Sequence, residues 1–303
     1  MNILITGAGA LLGQGIYKSM EYTGSNKKYF VGMADPSPTS AGLYWGNASH
    51  IIPFANDKNY ITELIDLIIK NNYDILIPGT DIELPILSKY KQFIEEKTKC
   101  KLVISQKKVI DIANDKYMTY QFLERESFNP PKTFLPEDFE AFSEITNFPY
   151  IIKPRYGARS IGIYLVEDYS TLKDVLKKSN KPIIQEYISD KNGEYTAGSF
   201  TLNNECLSTI LLRRELRDGN TYKAELYNDK NISDHIKKIT NKLKPFGPCN
   251  FQFRIDDQGF PRVFEINARY SGTTIMRVHA DFNEVDWIVK YFLNKEIPNI
   301  NKE

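Results

Sequence analysis

From residue 2 to residue 105 short apolar runs alternate with stretches whose apolar residues recur every three or four positions. The runs are Asn2–Thr6, Tyr29–Ala34, Asp74–Pro78 and Leu102–Ser105, and they read as strands. Between them Ile61, Leu64, Ile65 and Ile68 fall on one face of a helix over Tyr60–Lys70, and a shorter helix runs through Tyr17 and Met20. Strands separated by helices need crossover connections, so the pattern predicts a parallel sheet with helices on its faces. After a helix-rich stretch from about Lys107 to Glu126, Pro130-Pro131 interrupts the pattern. Strands then dominate, at Tyr150–Lys153, Ile163–Val166, Ile183–Tyr187, Tyr195–Leu202, Leu207–Arg214, Asn250–Asp256 and Arg262–Asn267. Helices are expected only at about Thr171–Lys178 and Ile232–Lys244. This second region reads as α+β with antiparallel sheet. The expected boundary between an α/β part and an α+β part lies near residue 108.

Alternation within the last two strands places chemistry. Phe251, Phe253 and Ile255 share one face, and Asn250, Gln252 and Arg254 the other. In the partner strand Phe264, Ile266 and Ala268 oppose Glu265, Asn267 and Arg269. Asp256-Asp257-Gln258-Gly259 reads as the connecting turn. A symmetric hairpin closed there pairs Ile255 with Phe260 and Gln252 with Val263, which leaves Gln252 on the face of Glu265 and Asn267. Three oxygen-bearing side chains with an arginine beyond suit a hard cation bound to phosphate oxygens. The same alternation also describes the solvent face of an amphipathic hairpin.

Two glycine clusters stand at strand ends. Thr6-Gly7-Ala8-Gly9-Ala10-Leu11-Leu12-Gly13 follows the first strand, and Asp35 ends the second, where a ribose-binding acid of a dinucleotide fold sits. The spacing G-x-G-x-x-x-G departs from the strict fingerprint, so a nicotinamide nucleotide site and a plain tight turn are both open. The second cluster, Tyr156-Gly157-Ala158-Arg159-Ser160-Ile161-Gly162, joins two strands. Its amides, with Lys153 and Arg159, could close over a polyphosphate as a flap. In Ile183-Ile184-Gln185-Glu186-Tyr187-Ile188 an apolar strand ending in a carboxylate could bracket a purine, and Glu194 could take bonds from a ribose.

Composition narrows the classes. With 42% hydrophobic and 25% charged residues in a chain of 303, two or three globular domains are expected. Lys plus Arg number 39 against 38 Asp plus Glu, so no basic excess points to nucleic acid. Three scattered cysteines fit a reducing cytosol rather than a disulfide framework. The start reads as a strand rather than a signal peptide, and no apolar run is long enough for a membrane span. His50, His235 and His279 lack metal-ligand spacing.

The order of these motifs resembles the ATP-grasp superfamily, and in particular a synthetase unit of the carbamoyl-phosphate synthase large subunit. Asp115-Lys116, Ile152-Lys153-Pro154, the flap, Gln185-Glu186-Tyr187-Ile188, Glu194, Gln252 and Glu265–Arg269 carry the resemblance across essentially the whole chain. It implies a Rossmann-like pre-ATP-grasp domain over 1–108, a small ATP-grasp subdomain over 109–182, and a central subdomain over 183–303. It implies ATP contacts from Lys116, Lys153, Arg159, Ser160 and Gly162, adenine held by Glu186 with the backbone of Tyr187 and Ile188, and ribose held by Glu194. Gln252, Glu265 and Asn267 resemble ligands for magnesium, for which manganese can substitute. Arg269, with Lys153, resembles the catalytic pair that stabilises the transferred phosphoryl group. The chain is one unit with no glutaminase portion, so complete carbamoyl-phosphate synthesis is not implied.

The implied activity is an ADP-forming ligase in which a carboxylate is activated as an acyl phosphate and captured by an amine or a thiol. The carboxylate needs cationic anchors. Arg213 and Arg214 adjoin on a strand, so only one can face the site, and Arg214 is preferred; Arg277 is a second candidate. The segment 211–221 matches nothing in the synthase. Small-molecule substrates, a cytoplasmic setting and no nucleic-acid or membrane partner are expected, with monomer and homodimer both allowed. The competing readings are an NAD(P)-dependent oxidoreductase or epimerase built on Gly7–Gly13 and Asp35, and a non-catalytic ATP-binding module.

Overall fold

The computed structural model describes residues 1–157, 160–295 and 297. Five parallel strands, β1 (Asn2–Ile5), β2 (Phe30–Asp35), β3 (Ala48–Ile51), β4 (Ile75–Ile77) and β5 (Lys101–Leu102), form a sheet in the order β3-β2-β1-β4-β5. Helices α1 (Leu11–Tyr22), α2 (Tyr60–Asn71) and α3 (Leu84–Thr98) cover it. Ile3, Leu4, Ile5, Leu76 and Ile77 are fully buried, as central parallel strands with both faces covered require. The edge strand β3 is not among the expected strands, because its polar-apolar alternation lacks the continuous apolar run of the central ones.

The expected helix-rich stretch is two helices, α4 (Lys107–Asn114) and α5 (Lys116–Arg125). Asp115 separates them and caps the second, accepting from the backbone N–H of Tyr117 and Met118. Beyond it a four-stranded sheet has the order β6-β9-β7-β8, from β6 (Thr133–Phe134), β7 (Tyr150–Pro154), β8 (Tyr164–Val166) and β9 (Pro182–Glu186), with helices α6 (Phe139–Ile145) and α7 (Tyr169–Lys178). A five-stranded antiparallel sheet follows in the order β12-β11-β10-β13-β14. Its strands are β10 (Glu194–Leu202), β11 (Glu205–Arg217), β12 (Asn220–Leu226), β13 (Gly247–Ile255) and β14 (Pro261–Asn267). Helices α8 (Lys230–Leu243), α9 (Thr274–Val278) and α10 (Glu284–Asn294) pack with it. The fold class is as expected: a parallel α/β unit, then two antiparallel α+β lobes. No helix among the described residues is long and apolar enough to cross a membrane.

The hairpin register differs from the expected one. Ile255 pairs with Pro261 and Phe253 with Val263, then the register shifts and Gln252 pairs with Glu265. The loop is one residue longer because the Asp256 carboxylate accepts from the backbone N–H of Gln258 and Phe260 and so holds a wider turn. A β-bulge at Phe264 then restores the parity of Glu265 and Asn267.

Candidate active site

Two lobes face each other across a cavity of ≈ 210 Å³. The small lobe contributes Lys153 from β7, Gln185 and Glu186 from β9, and Ser160 of the flap; the large lobe contributes Glu194, Gln252 and Glu265. Lys116 at the start of α5 and the Ile188 that follows β9 also line it. Most residues singled out from the sequence therefore meet in one place. Arg159 lies outside the described residues. Tyr187 and Gly162 do not line the cavity.

Lys153 is 3% exposed. Its Nζ donates to Gln185 Oε1 (2.8 Å) and toward the Phe264 carbonyl (3.5 Å). Gln185 is itself fixed, donating to the Thr133 hydroxyl (2.8 Å). Burial, reinforced by Lys116 and only partly offset by Glu265 and Glu194, lowers the Lys153 ammonium to about 7. Phe264 was expected on the face opposite Glu265. The bulge turns it into the cavity, with its ring 5.2 Å from the Lys153 ammonium. Bulges commonly re-aim a side chain beside a functional site.

The flap is a hairpin loop between β7 and β8, with Tyr150 paired to Val166 and Ile152 to Tyr164. Gly157, Ser160 and Gly162 have positive φ (134°, 56° and 74°), a conformation that glycine adopts without strain. Lys116 donates to the Gly157 carbonyl (2.7 Å) and ties the flap to α5. Arg155 donates to both oxygens of Asp115, and the Tyr156 hydroxyl joins them. Burial alone would raise Asp115, but these donors hold it below the usual carboxylate range.

Glu194 is clamped between two arginines, with Arg214 Nη2 at 2.7 Å from one oxygen and Arg254 Nη2 at 2.9 Å from the other. Arg254 also donates to the Ile188 carbonyl (2.8 Å). Alternation places Arg254 on the correct face without assigning it a task. Glu186 accepts from Arg262 (2.8 Å) and from the Lys132 backbone (2.9 Å). Arg214 is the arginine of its pair that faces inward, whereas Arg213 pairs with Glu225 outside. Arg214 points between Glu194 and Gln252, so it belongs to this cavity together with Leu216 and Gly219 of the unmatched segment.

In the expected metal set, Glu265 Oε1 accepts from Asn267 Nδ2 (3.0 Å) and, at 3.5 Å, from Gln252 Nε2. The amide oxygens face guanidinium groups: Gln252 Oε1 accepts from Arg214 (2.8 Å) and Asn267 Oδ1 from Arg269 (3.1 Å). These arginines fix the amide orientations. Glu265 is thus the member of the trio that presents carboxylate oxygen, and both amides offer it N–H groups. Among the described residues no cluster of three His, Cys, Asp or Glu forms. One carboxylate is a donor set that suits magnesium carried in by phosphate oxygens, since that ion keeps waters and needs few protein ligands.

One expectation is corrected. Arg277 is fully buried; it pairs with Glu284, equally buried, at 3.2 Å and also donates to Asn250. It lines neither cavity, so it is a core residue and not a substrate anchor. The Gly7–Gly13 turn is also covered. Asp35 accepts from the Gly9 amide (2.7 Å) with one oxygen and from the Ser40 hydroxyl (2.7 Å) with the other. A Cβ at Gly42 would lie 2.0 Å from the Ala8 carbonyl oxygen, so a neighbouring turn sits directly on the loop. The Asp35 carboxylate and the Gly9 amide, two groups a dinucleotide would use, are engaged with each other within the chain.

A second cavity of ≈ 490 Å³ opens between the parallel domain and the two lobes. It shares Lys116, Gly157, Ile161 and Glu265 with the first. Asp81 lines it and receives Arg269 on both oxygens; no motif or periodicity singles this residue out.

This architecture of a parallel α/β domain with a flap-bearing lobe and an antiparallel lobe is that of the ATP-grasp proteins. The model of ATP-grasp proteins in the biosynthetic pathway with the Ter operon matches residues 178–303, and the PylC-like N-terminal domain matches residues 3–103. The tubulin-tyrosine ligase family matches residues 85–190. Among solved structures, N5-carboxyaminoimidazole synthetase from Staphylococcus aureus complexed with ADP superposes with a TM-score of 0.76 at 19% identity, covering 98% of this chain and 78% of that one. L-amino acid ligase from Bacillus licheniformis gives 0.71 at 16% identity, covering 97% and 74%. The D-alanine–D-alanine ligase of Fusobacterium nucleatum is 30% identical over 131 residues, 43% of this chain and 42% of that protein. An uncharacterised protein of Mycoplasma pneumoniae is 27% identical over 198 residues, covering 62% and 66%. The chain thus matches 42% and 66% of the length of these two curated relatives. Residues 178–303 match an ATP-grasp family model, and the chain as a whole has the ATP-grasp fold.

Proposed function

We propose that the protein is an ATP-dependent ligase that activates a carboxylate as an acyl phosphate and passes the acyl group to an amine. The observation that carries this reading is that Lys153 and Glu265, from opposing lobes, line one cavity together with Gly157 and Ser160 of the flap. ATP occupies this cavity. Its base lies against the end of β9 at Glu186 and Ile188, its ribose meets the Glu194 region, and its phosphates meet Lys153, Lys116 and the flap amides.

Glu265 would hold the magnesium of the nucleotide, with the Asn267 amide beside it, and the ion would supply charge neutralisation at the phosphate oxygens. Gln252 stays with Arg214. Lys153 and Arg269 oppose the charge that spreads over the transferred group. A carboxylate oxygen of the substrate bonds to the γ-phosphorus, and the bond to the β-γ bridging oxygen breaks with its electron pair leaving on ADP. The ammonium of the acceptor gives up one proton, its nitrogen bonds to the acyl carbon, the bond from that carbon to the phosphate oxygen breaks with its electron pair leaving on inorganic phosphate, and a second proton leaves the nitrogen. Flap closure keeps water from the acyl phosphate.

The oxidoreductase alternative is disfavoured by Asp35 and Gly42. Calorimetric titration with Mg·ATP against NAD tests the reading directly. ATP binding without NAD binding is expected, and the reverse result would retire the ligase. A screen of carboxylates with amines for ADP and phosphate release separates a ligase from a non-catalytic ATP-binding module, which would release neither.

A further inference from the structure

We propose that the second cavity is the acceptor site and that it takes a small molecule with an apolar body and a single cationic amine. This rests on the ligase reading of the first cavity. The two cavities meet at Lys116, Gly157, Ile161 and Glu265, where the phosphoryl end of a nucleotide would lie. A molecule in the second cavity therefore abuts the reacting end and not the base. Its volume of ≈ 490 Å³ is in the range of small-molecule sites.

The walls define the chemistry. Leu84 and Pro85 from the start of α3, Ile110 and Ala113 from α4, and Ala268 after β14 make an apolar lining. At the mouth Ile82 from the parallel domain and Ile161 from the flap are each 75% exposed, two large apolar side chains that an apolar ligand would cover.

The charged groups are unequal. Asp81 and Glu265 are acids. Lys116 is engaged with the Gly157 carbonyl, and Arg269 directs its guanidinium to Asp81, Asn267 and the Tyr270 carbonyl. Glu265 serves the nucleotide's metal, which leaves Asp81 for the ligand. Its carboxylate accepts from Arg269 yet remains 35% exposed, and a carboxylate has more acceptor positions than one guanidinium fills. An ammonium at Asp81 is attracted, whereas a second carboxylate there meets like charge.

The test uses the full chain with Mg·AMP-PNP, a non-hydrolysable ATP analogue. Isoamylamine and phenethylamine are the probes, compared with the matching alcohols and carboxylic acids by ligand-observed NMR titration. Both amines are expected to bind, with alcohols and acids at least about tenfold weaker, the loss that follows from removing one charged partner. Asp81→Asn, which keeps the shape, should weaken the amines at least about tenfold and narrow their advantage over the alcohols. Ala113→Leu, which narrows the cavity at its apolar wall, should weaken their binding at least about tenfold, and Ile82→Ser at the exposed mouth should weaken phenethylamine.

Acids that bind as well as amines, amine binding that Ala113→Leu leaves untouched, or no amine binding in a protein that takes up the nucleotide would each overturn the assignment. Nucleotide affinity measured in the same samples separates the two claims. Amine binding sensitive to Ala113→Leu in a protein that does not bind nucleotide would remove the ligase reading and leave the acceptor cavity standing.

Discussion

Asp81 and Arg269 face each other across the junction of the parallel domain and the large lobe, the guanidinium donating to both carboxylate oxygens. They stand 188 positions apart in sequence. The same arginine holds Asn267, which holds Glu265, so a residue of the N-terminal domain orients the proposed metal ligand through two intermediaries. Arg269→Ala is expected to lower ADP formation by about 10²–10³, the usual cost of removing one transition-state charge partner. Arg269→Lys should recover only part of this, because an ammonium cannot span both oxygens of Asp81. Steady-state turnover of the pair checks it; near-parental activity in both variants would remove Arg269 from the mechanism.

Lys153 confers a pH signature. Its ammonium, lowered by burial to about 7, is largely neutral above that pH until phosphates arrive. Nucleotide affinity should therefore fall as pH rises through 7, and binding at pH 8 should take up close to one proton. Calorimetry in buffers of different ionisation enthalpy measures that uptake directly. Zero uptake would show that the phosphates do not meet Lys153.

The same group affects stability. The unfolded chain keeps this proton up to 10.5, so between pH 7 and 10.5 the unfolded state binds more protons and stability rises with pH. Below 7 the cost of burying the charge is fully present. Lys153→Met should raise the urea midpoint at pH 6–7 by the equivalent of at most about 5 kcal/mol, less the hydrogen bond Gln185 loses, and abolish nucleotide binding.

The proposed metal site sets a ranking. Glu265 presents carboxylate oxygen, Asn267 must turn its amide to join it, and Gln252 has its oxygen held by Arg214. Glu265→Ala is expected to abolish magnesium-dependent ADP formation, Asn267→Ala to lower it by about 10–10², and Gln252→Ala to act mainly on nucleotide affinity. With a single carboxylate, magnesium alone should give no heat on titration and should bind only with ATP. Equal losses for the three alanine variants would restore a three-ligand site.

Much of this site is legible in the sequence because it depends on side-chain parity and motif order. Glu265, Gln252, Lys153 and Glu194 sit on predictable faces of predictable strands, and they converge as expected. The parts that escape a sequence reading depend on long-range geometry. The bulge at Phe264 arises from the way Asp256 wraps its own turn. Asp81 matters because a turn in the parallel domain meets the end of β14. Asp35 has the position of a ribose ligand, but the Gly9 amide and the Ser40 hydroxyl occupy its oxygens, and no local pattern announces such a contact. The edge strand β3 is hidden because half its residues face outward.

Arg277 shows the opposite failure, in which a charge suggests function and the fold uses it as core. Its guanidinium and the Glu284 carboxylate are both fully buried, with Thr274 and Asn250 completing the cluster. Burial pushes Glu284 up and Arg277 down, and their mutual attraction opposes both shifts. Removing one partner leaves the other charge uncompensated in the interior. Arg277→Met is therefore expected to cost about 3–5 kcal/mol, whereas Arg277→Met with Glu284→Leu should recover most of it, because a buried pair often contributes little over an apolar replacement. Urea unfolding of the two variants decides the point. If the single variant is as stable as the parent and loses only substrate affinity, Arg277 returns to the active site and its pairing with Glu284 is not a core contact.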